Sequence, residues 1–199
     1  GDTHNQTVKW IDLSARSGRQ WFVSLDEIGP AHTGVMPDKD DYWHDEVRYK
    51  HLYGNLLAGG AGVEWYFGYK FAHNDLNCED WRSRDHLWDL TRYALELFHN
   101  HLPFAQMNNN DGLTSAKDDY CLAQPGEVYA IYLPKGGTTK LDLGKSSKTF
   151  SVKWFNPRTG GELQTGSVTV VEGPGRVSVG SPPSDAKKDW VALVKSRQE

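Results

Sequence analysis

Two adjacent carboxylates close an apolar run: Trp21–Phe22–Val23–Ser24–Leu25 leads directly into Asp26–Glu27, and Ile28–Gly29 follow. A second run, Gly62–Val63–Glu64–Trp65–Tyr66–Phe67–Gly68, carries a third carboxylate and neighbouring aromatic rings. Each run has the length of one buried strand. Carboxylates and aromatics at the C-terminal ends of parallel strands are where (β/α)8 enzymes place their acids, bases and nucleophiles. Asp26 and Glu27 cannot act as an opposed pair, because successive residues of an extended chain point to opposite faces. Alternation leaves open which of the two faces inward, since Trp21, Val23 and Leu25 or Phe22 and Ser24 can line that side. Glu27 is favoured as the later one, at the strand's exit.

The other candidates divide between packing and binding. Glu64 lies inside its run, and a buried carboxylate there must be hydrogen-bonded or paired. It either lines a site or forms a structural pair. Trp65 and Tyr66 suit a core, but their place just before Gly68 and a long polar loop also suits stacking on a ligand ring. His32 and His73, on the loops after the two runs, can hydrogen-bond a ligand, with Asn74, Asp75 and Arg82 as weaker members of the same rim. His44 and the aspartates at 38, 40, 41, 45 and 75 invite a metal reading, but no ligand spacing of the H-E-x-x-H kind occurs, so neither a metal nor a cofactor is expected. Gly59–Gly60 with Gly62 follow a helix and precede a strand, the reverse of the order in a phosphate cradle.

Two regions of different periodicity must position these residues. The first reads α-β-α-β-α: a helix from Asn5 or Thr7 to about Ser17 with Val8, Ile11 and Ala15 on one stripe, strand 21–25, a helix over about 42–58, strand 63–67, and a helix over about 85–101 closed by Pro103. The strands are nearly continuous apolar runs, as in a parallel sheet covered on both faces. The second region has seven short strand candidates, at 120–123, 127–133, 139–143, 150–155, 167–171, 176–179 and 190–194. Pro125–Gly126, Pro134–Lys135–Gly136–Gly137 and Gly173–Pro174–Gly175 are among the turns separating them, and the pattern predicts an antiparallel sandwich with Trp154 and Trp190 in its core. The expected fold class is therefore α/β plus all-β. An incomplete (β/α)8 barrel portion over 1–103, with two strands and three helices, is packed against a β-sandwich over 104–199.

Composition excludes several partners. The net charge is −4, with residues 1–110 contributing 10 basic and 16 acidic side chains and residues 111–199 contributing 12 and 10. Neither half has the basic stripe of a nucleic-acid binder, and no apolar run is long enough to span a membrane. Cys78 and Cys121 are too few for a disulfide scaffold or a cysteine zinc site, and they read as two free thiols rather than an interdomain disulfide.

The runs Asp26–Glu27–Ile28–Gly29–Pro30, Leu56–Leu57–Ala58–Gly59–Gly60–Ala61–Gly62–Val63–Glu64–Trp65–Tyr66–Phe67–Gly68 and Tyr120–Cys121–Leu122–Ala123 resemble the C-terminal part of bacterial glycoside-hydrolase-like proteins, in which a barrel is followed by a sandwich. From Val128–Tyr129–Ala130–Ile131–Tyr132–Leu133 through Val152–Lys153–Trp154–Phe155–Asn156–Pro157–Arg158–Thr159–Gly160 the chain resembles the module known as the "putative collagen-binding domain of a collagenase". The resemblance implies that the two strands correspond to barrel strands 7 and 8 and that Glu27 is the nucleophile of a retaining glycosidase. The acid/base would come from a fourth strand this chain lacks. Trp65 would form the floor of a sugar subsite, with Tyr66, Glu64, His32 and His73 around it. It implies a carbohydrate polymer or glycan as partner and an extracellular or periplasmic location. The open flank of two strands would be shielded by the missing N-terminal barrel portion or by a dimer contact. By itself the chain is expected to be inactive. The competing expectation is an extracellular polymer-binding module, for collagen or carbohydrate, without catalysis.

Overall fold

Local hydrogen bonding starts the first helix earlier than expected. The computed structural model of the protein describes residues 2–77 and 79–197; Cys78 lies outside them, and Cys121 is a buried free thiol. Helix α1, Thr3–Arg16, is capped by Asp2, whose carboxylate accepts from the Asn5 N–H at 3.2 Å. Its buried positions are Thr3, His4, Thr7 and Ser14, not the expected apolar stripe. The reason is its partner. His4 Nδ1 lies 2.8 Å from the Gly54 carbonyl, Thr3 Oγ1 lies 2.7 Å from His51 Nδ1, and Asn55 donates to Thr7 Oγ1 at 3.2 Å. A face that docks through hydrogen bonds leaves no hydrophobic period to read.

The expected second helix is shorter and wider. A π-helical segment, Val47–Leu52, runs into α2, Tyr53–Leu57. His44, with φ +44°, breaks the chain ahead of it. Helix α3, Asp85–His101, buries Leu87, Leu90, Ala94 and Leu97 at the spacing predicted for it. The chain divides into two compact units, 1–94 and 95–199, and the division falls within α3.

Strands β1, Ser24–Leu25, and β2, Gly62–Val63, pair in parallel, with Ser24 opposite Gly62 and Leu25 opposite Val63. This is all the parallel sheet among the described residues, and it overturns the fold class expected for residues 1–103. Among the described residues no barrel is closed, only three α-helices are present, and the sheet structure is mostly antiparallel and sandwich-like. The physical reason is that two strands supply one ladder and two unpaired outer edges. The apolar runs therefore form strand over only two residues each, and Phe22 is left 92 % exposed.

Unit 2 holds the sandwich. Strands β3 (Asn108–Asn109), β4 (Tyr120–Gln124), β5 (Val128–Leu133), β6 (Lys140–Asp142), β7 (Thr149–Phe155), β8 (Val170–Glu172), β9 (Arg176–Ser178) and β10 (Trp190–Ser196) form two sheets. The larger has the order β3-β4-β5-β10-β7-β8, and β6 pairs with β9. The seven expected strand segments all meet one of these. Cys121, Tyr129, Ile131, Phe150, Val152, Trp154, Trp190 and Val194 on the large sheet pack with Leu141, Leu143 and Val179 from the small-sheet region. The alternate residues of the central strands, Ala130, Tyr132, Val191 and Leu193, are also buried, so the period-two pattern is weak.

Asp119, just before β4, is a buried carboxyl whose Oδ2 has no hydrogen-bond partner among the described residues. Burial pushes it up to about 6, against a smaller opposing effect of the Thr139 hydroxyl. An acid raised in the folded state stabilises fully below its ordinary value of about 3.9 and loses that contribution as pH climbs toward 6. At about 1.36 kcal/mol per pH unit the interval amounts to on the order of 3 kcal/mol. Asp119→Asn is expected to raise the urea midpoint near pH 7 and to flatten its dependence between about pH 4 and pH 6. Equal midpoint shifts for both proteins across that range would contradict the assignment.

Candidate functional site

The loops leaving β1 and β2 lock together through their backbones. Val35 N–H donates to the Tyr66 carbonyl at 2.7 Å, and the His32 carbonyl accepts from Tyr69 and Lys70 at 3.0 and 2.9 Å. At Gly34, with φ +53°, a Cβ would lie 2.3 Å from the Tyr66 oxygen, and at Gly68 one would lie 2.6 Å from the His32 oxygen. Side chains would force the loops apart, so glycine at both points is a packing requirement. Asp75 completes the clasp, its Oδ2 accepting from the Phe67 and Gly68 N–H groups at 2.8 and 3.0 Å. The Tyr66 hydroxyl donates to the Ala31 carbonyl.

Arg84 fastens this clasp from beneath. Its guanidinium is fully buried, lies 4.5 Å from the Phe67 ring centroid, and donates to the carbonyls of Val35, Ala72 and His73. Nearby, Asp38 binds His44 Nε2 at 2.8 Å through Oδ1 and accepts the His86 N–H at 2.7 Å through Oδ2. His86 stacks on Tyr42 with centroids 4.3 Å apart, and burial holds its imidazole below the ordinary range.

Glu27 leaves β1 with φ +52° and an exposed side chain. A non-glycine residue in the left-handed region costs roughly 1–2 kcal/mol and persists where surrounding structure enforces it. The next residue, Ile28, is buried, and the clasp follows directly after it. Burial raises the Tyr66 phenol above its ordinary range, and the charge of Asp75 adds to that. Asp26 is exposed and accepts from the Ser24 hydroxyl at 3.0 Å.

The remaining candidates separate. Glu64 is exposed, so it carries no burial cost, and its N–H donates to Leu25 in the ladder. Trp65 turns to the other side. It packs with Val35, Phe67 and Leu87, and its indole N–H donates to Thr91 of α3 at 3.0 Å. His32 is exposed and serves the clasp through its carbonyl. His73, with φ +55°, lines a cavity of about 430 Å³ together with Lys39, Asp80, Arg82 and Ser83. Among the described residues no group of three or more His, Cys, Asp or Glu side chains could hold a metal ion. Sequence reasoning missed Arg84 and the role of Asp75, whose partners are backbone groups brought in by folding.

Comparison with known proteins places these features in context. Residues 107–195 match the family described as "Putative collagen-binding domain of a collagenase". Among solved structures, a glycoside hydrolase is similar over 99% of this chain, with a TM-score of 0.60 and 14% identity. A glycoside hydrolase family 5 protein from Bacteroides vulgatus ATCC 8482 is similar over 95%, with a TM-score of 0.63 and 12% identity. The chain spans 47% and 45% of those two chains, a little under half of each. At such identities the likeness is one of fold. No curated protein matches.

Proposed function

We propose that this chain is part of a longer retaining glycoside hydrolase in which Glu27 is the nucleophile. One observation carries the reading: an exposed glutamate in a left-handed conformation at the exit of β1, directly ahead of two interlocked loops. Unstrained alternatives exist for a surface carboxylate, so a site that enforces strain there points to a requirement for that group in that place. The fold likeness to glycoside hydrolases supplies the reaction class. A Glu27 oxygen attacks the anomeric carbon as the glycosidic C–O bond breaks. A second carboxyl about 5 Å away, supplied by the rest of the protein, protonates the departing oxygen and then deprotonates the water that releases the sugar. Tyr66, on the stretch after β2, contacts the substrate, while Trp65 ties that stretch to α3 through Thr91. The present chain holds one half of the pair and turns over no glycoside alone.

A location outside the cell agrees with the match over 107–195, and no helix among the described residues is long and apolar enough to cross a membrane. The same match favours a second reading, an extracellular polymer-binding module. Against it, Trp154 and Trp190 are fully buried, so unit 2 does not present either ring to a ligand.

Trapping tests the first reading. A 2-deoxy-2-fluoro glycosyl fluoride incubated with the longer protein is expected to label the tryptic peptide 20–39 at Glu27, read by mass spectrometry. Label on Asp26 would move the role one residue upstream, and label outside the peptide would refute it.

A further inference from the structure

The cavity between the loops around Lys39 and Arg82 has a lopsided hydrogen-bond inventory. Its two carboxylates are largely spent. Asp38 uses both oxygens on His44 and the His86 N–H, and Asp80 Oδ1 takes both the Arg82 N–H at 3.2 Å and Arg82 Nε at 2.8 Å. Its donors are not spent. The Asp80 pairing fixes the side of the Arg82 guanidinium and leaves the Nη fork without a partner among the described residues, and the Lys39 ammonium is likewise unpartnered. Lys39 lies on a loop and Arg82 in the 3-10 turn Trp81–Arg84, the two tied by the Asp38 N–H donating to the Ser83 carbonyl at 2.9 Å. An arginine held by its side with its fork free is preorganised for a planar, two-oxygen anion.

We propose that this cavity binds the carboxylate of a uronic-acid residue in an acidic saccharide. The Arg82 fork takes the two carboxylate oxygens, and Lys39 adds a second charge-assisted bond. Pro37 and Ala72 supply an apolar wall suited to the flat side of the sugar. A volume of about 430 Å³ falls within the roughly 300–1,000 Å³ of small-molecule sites. None of Glu27, Glu64, Trp65 or Tyr66 lines the cavity. The choice of a sugar rests on the carbohydrate reading above; the choice of an anion does not.

Titration of the full chain with tri-galacturonate, followed by amide chemical shifts and calorimetry, tests the assignment. Saturable binding is expected, with shifts at Lys39, His73 and Arg82 and none of comparable size with neutral galactotriose. Lys39→Gln and Arg82→Gln, both exposed and checked for unchanged melting, should each weaken binding about tenfold or more. Equal affinity for the neutral trisaccharide, unchanged binding in both variants, or shifts centred elsewhere would overturn the proposal. Acetate or inorganic sulfate matching the trisaccharide's affinity would also overturn it, since the sugar would then contribute nothing. The cavity is read by reversible binding and Glu27 by covalent labelling, so either assignment can fail while the other stands.

Discussion

Glu27→Gly in the longer protein is expected to abolish turnover while making the chain more stable. Loss of a covalent nucleophile should lower kcat by roughly 10,000-fold, about 5–6 kcal/mol of barrier. Stability should move the other way, because glycine adopts φ +52° without the Cβ penalty. Relief of strain outweighs the flexibility that glycine adds to the unfolded chain, for a net gain of up to about 1 kcal/mol. A structural carboxylate would show neither the activity loss nor this opposition of sign. Azide supplies a further readout. With Glu27→Gly and an activated aryl glycoside, azide should enter the vacated space, attack the anomeric carbon and expel the phenolate, giving a glycosyl azide of inverted configuration. A variant that keeps more than about a tenth of wild-type turnover, or yields no glycosyl azide, would remove Glu27 from the chemistry.

Arg84→Met should cost unit 1 about 3–5 kcal/mol. The side chain is fully buried, and its removal strands the carbonyls of Val35, Ala72 and His73, which belong to the two loops of the clasp. Methionine restores most of the volume and the contact with Phe67 but none of the donors. Arg84→Lys keeps the charge and should recover less than half of the loss, since one ammonium cannot reach carbonyls arranged around a planar fork. Urea unfolding with a probe in residues 1–94 measures both. A destabilisation below about 1 kcal/mol for Arg84→Met would show the carbonyls finding water instead.

Legibility of the fold followed which partner each face meets. The sandwich strands could be read because glycine and proline turns fix their ends, as at Pro125–Gly126 before β5 and Gly173–Pro174–Gly175 before β9. Helix α3 could be read because Leu87, Leu90, Ala94 and Leu97 meet an apolar environment. The docking face of α1 could not, because Thr3, His4 and Thr7 make it out of hydrogen bonds. The runs at 21–25 and 63–67 were composed like barrel strands, but composition cannot tell a strand with neighbours from one without. In the candidate site, Glu27, Tyr66 and His73 stood out by type and position. Arg84 did not, because what it does depends on three backbone carbonyls from residues 35, 72 and 73. Trp65 was conspicuous for its ring, and folding places it, two residues after β2, against α3.

The order of the large sheet also bears on how the protein is made. β10 lies between β5 and β7, pairing Val191 with Tyr132 on one side and Phe155 on the other. During synthesis β4 and β5 can form a hairpin as soon as they leave the ribosome, and β7 can pair with β8. The two pairs have no common neighbour until Trp190–Ser196 has emerged. Until then the nascent chain exposes two incomplete sheets with apolar faces, a state prone to sticking to its own kind. Insertion of a late strand at the centre makes closure of unit 2 the final event of translation through residue 196, and a ribosome stalled before Trp190 would display a chain unable to complete its core.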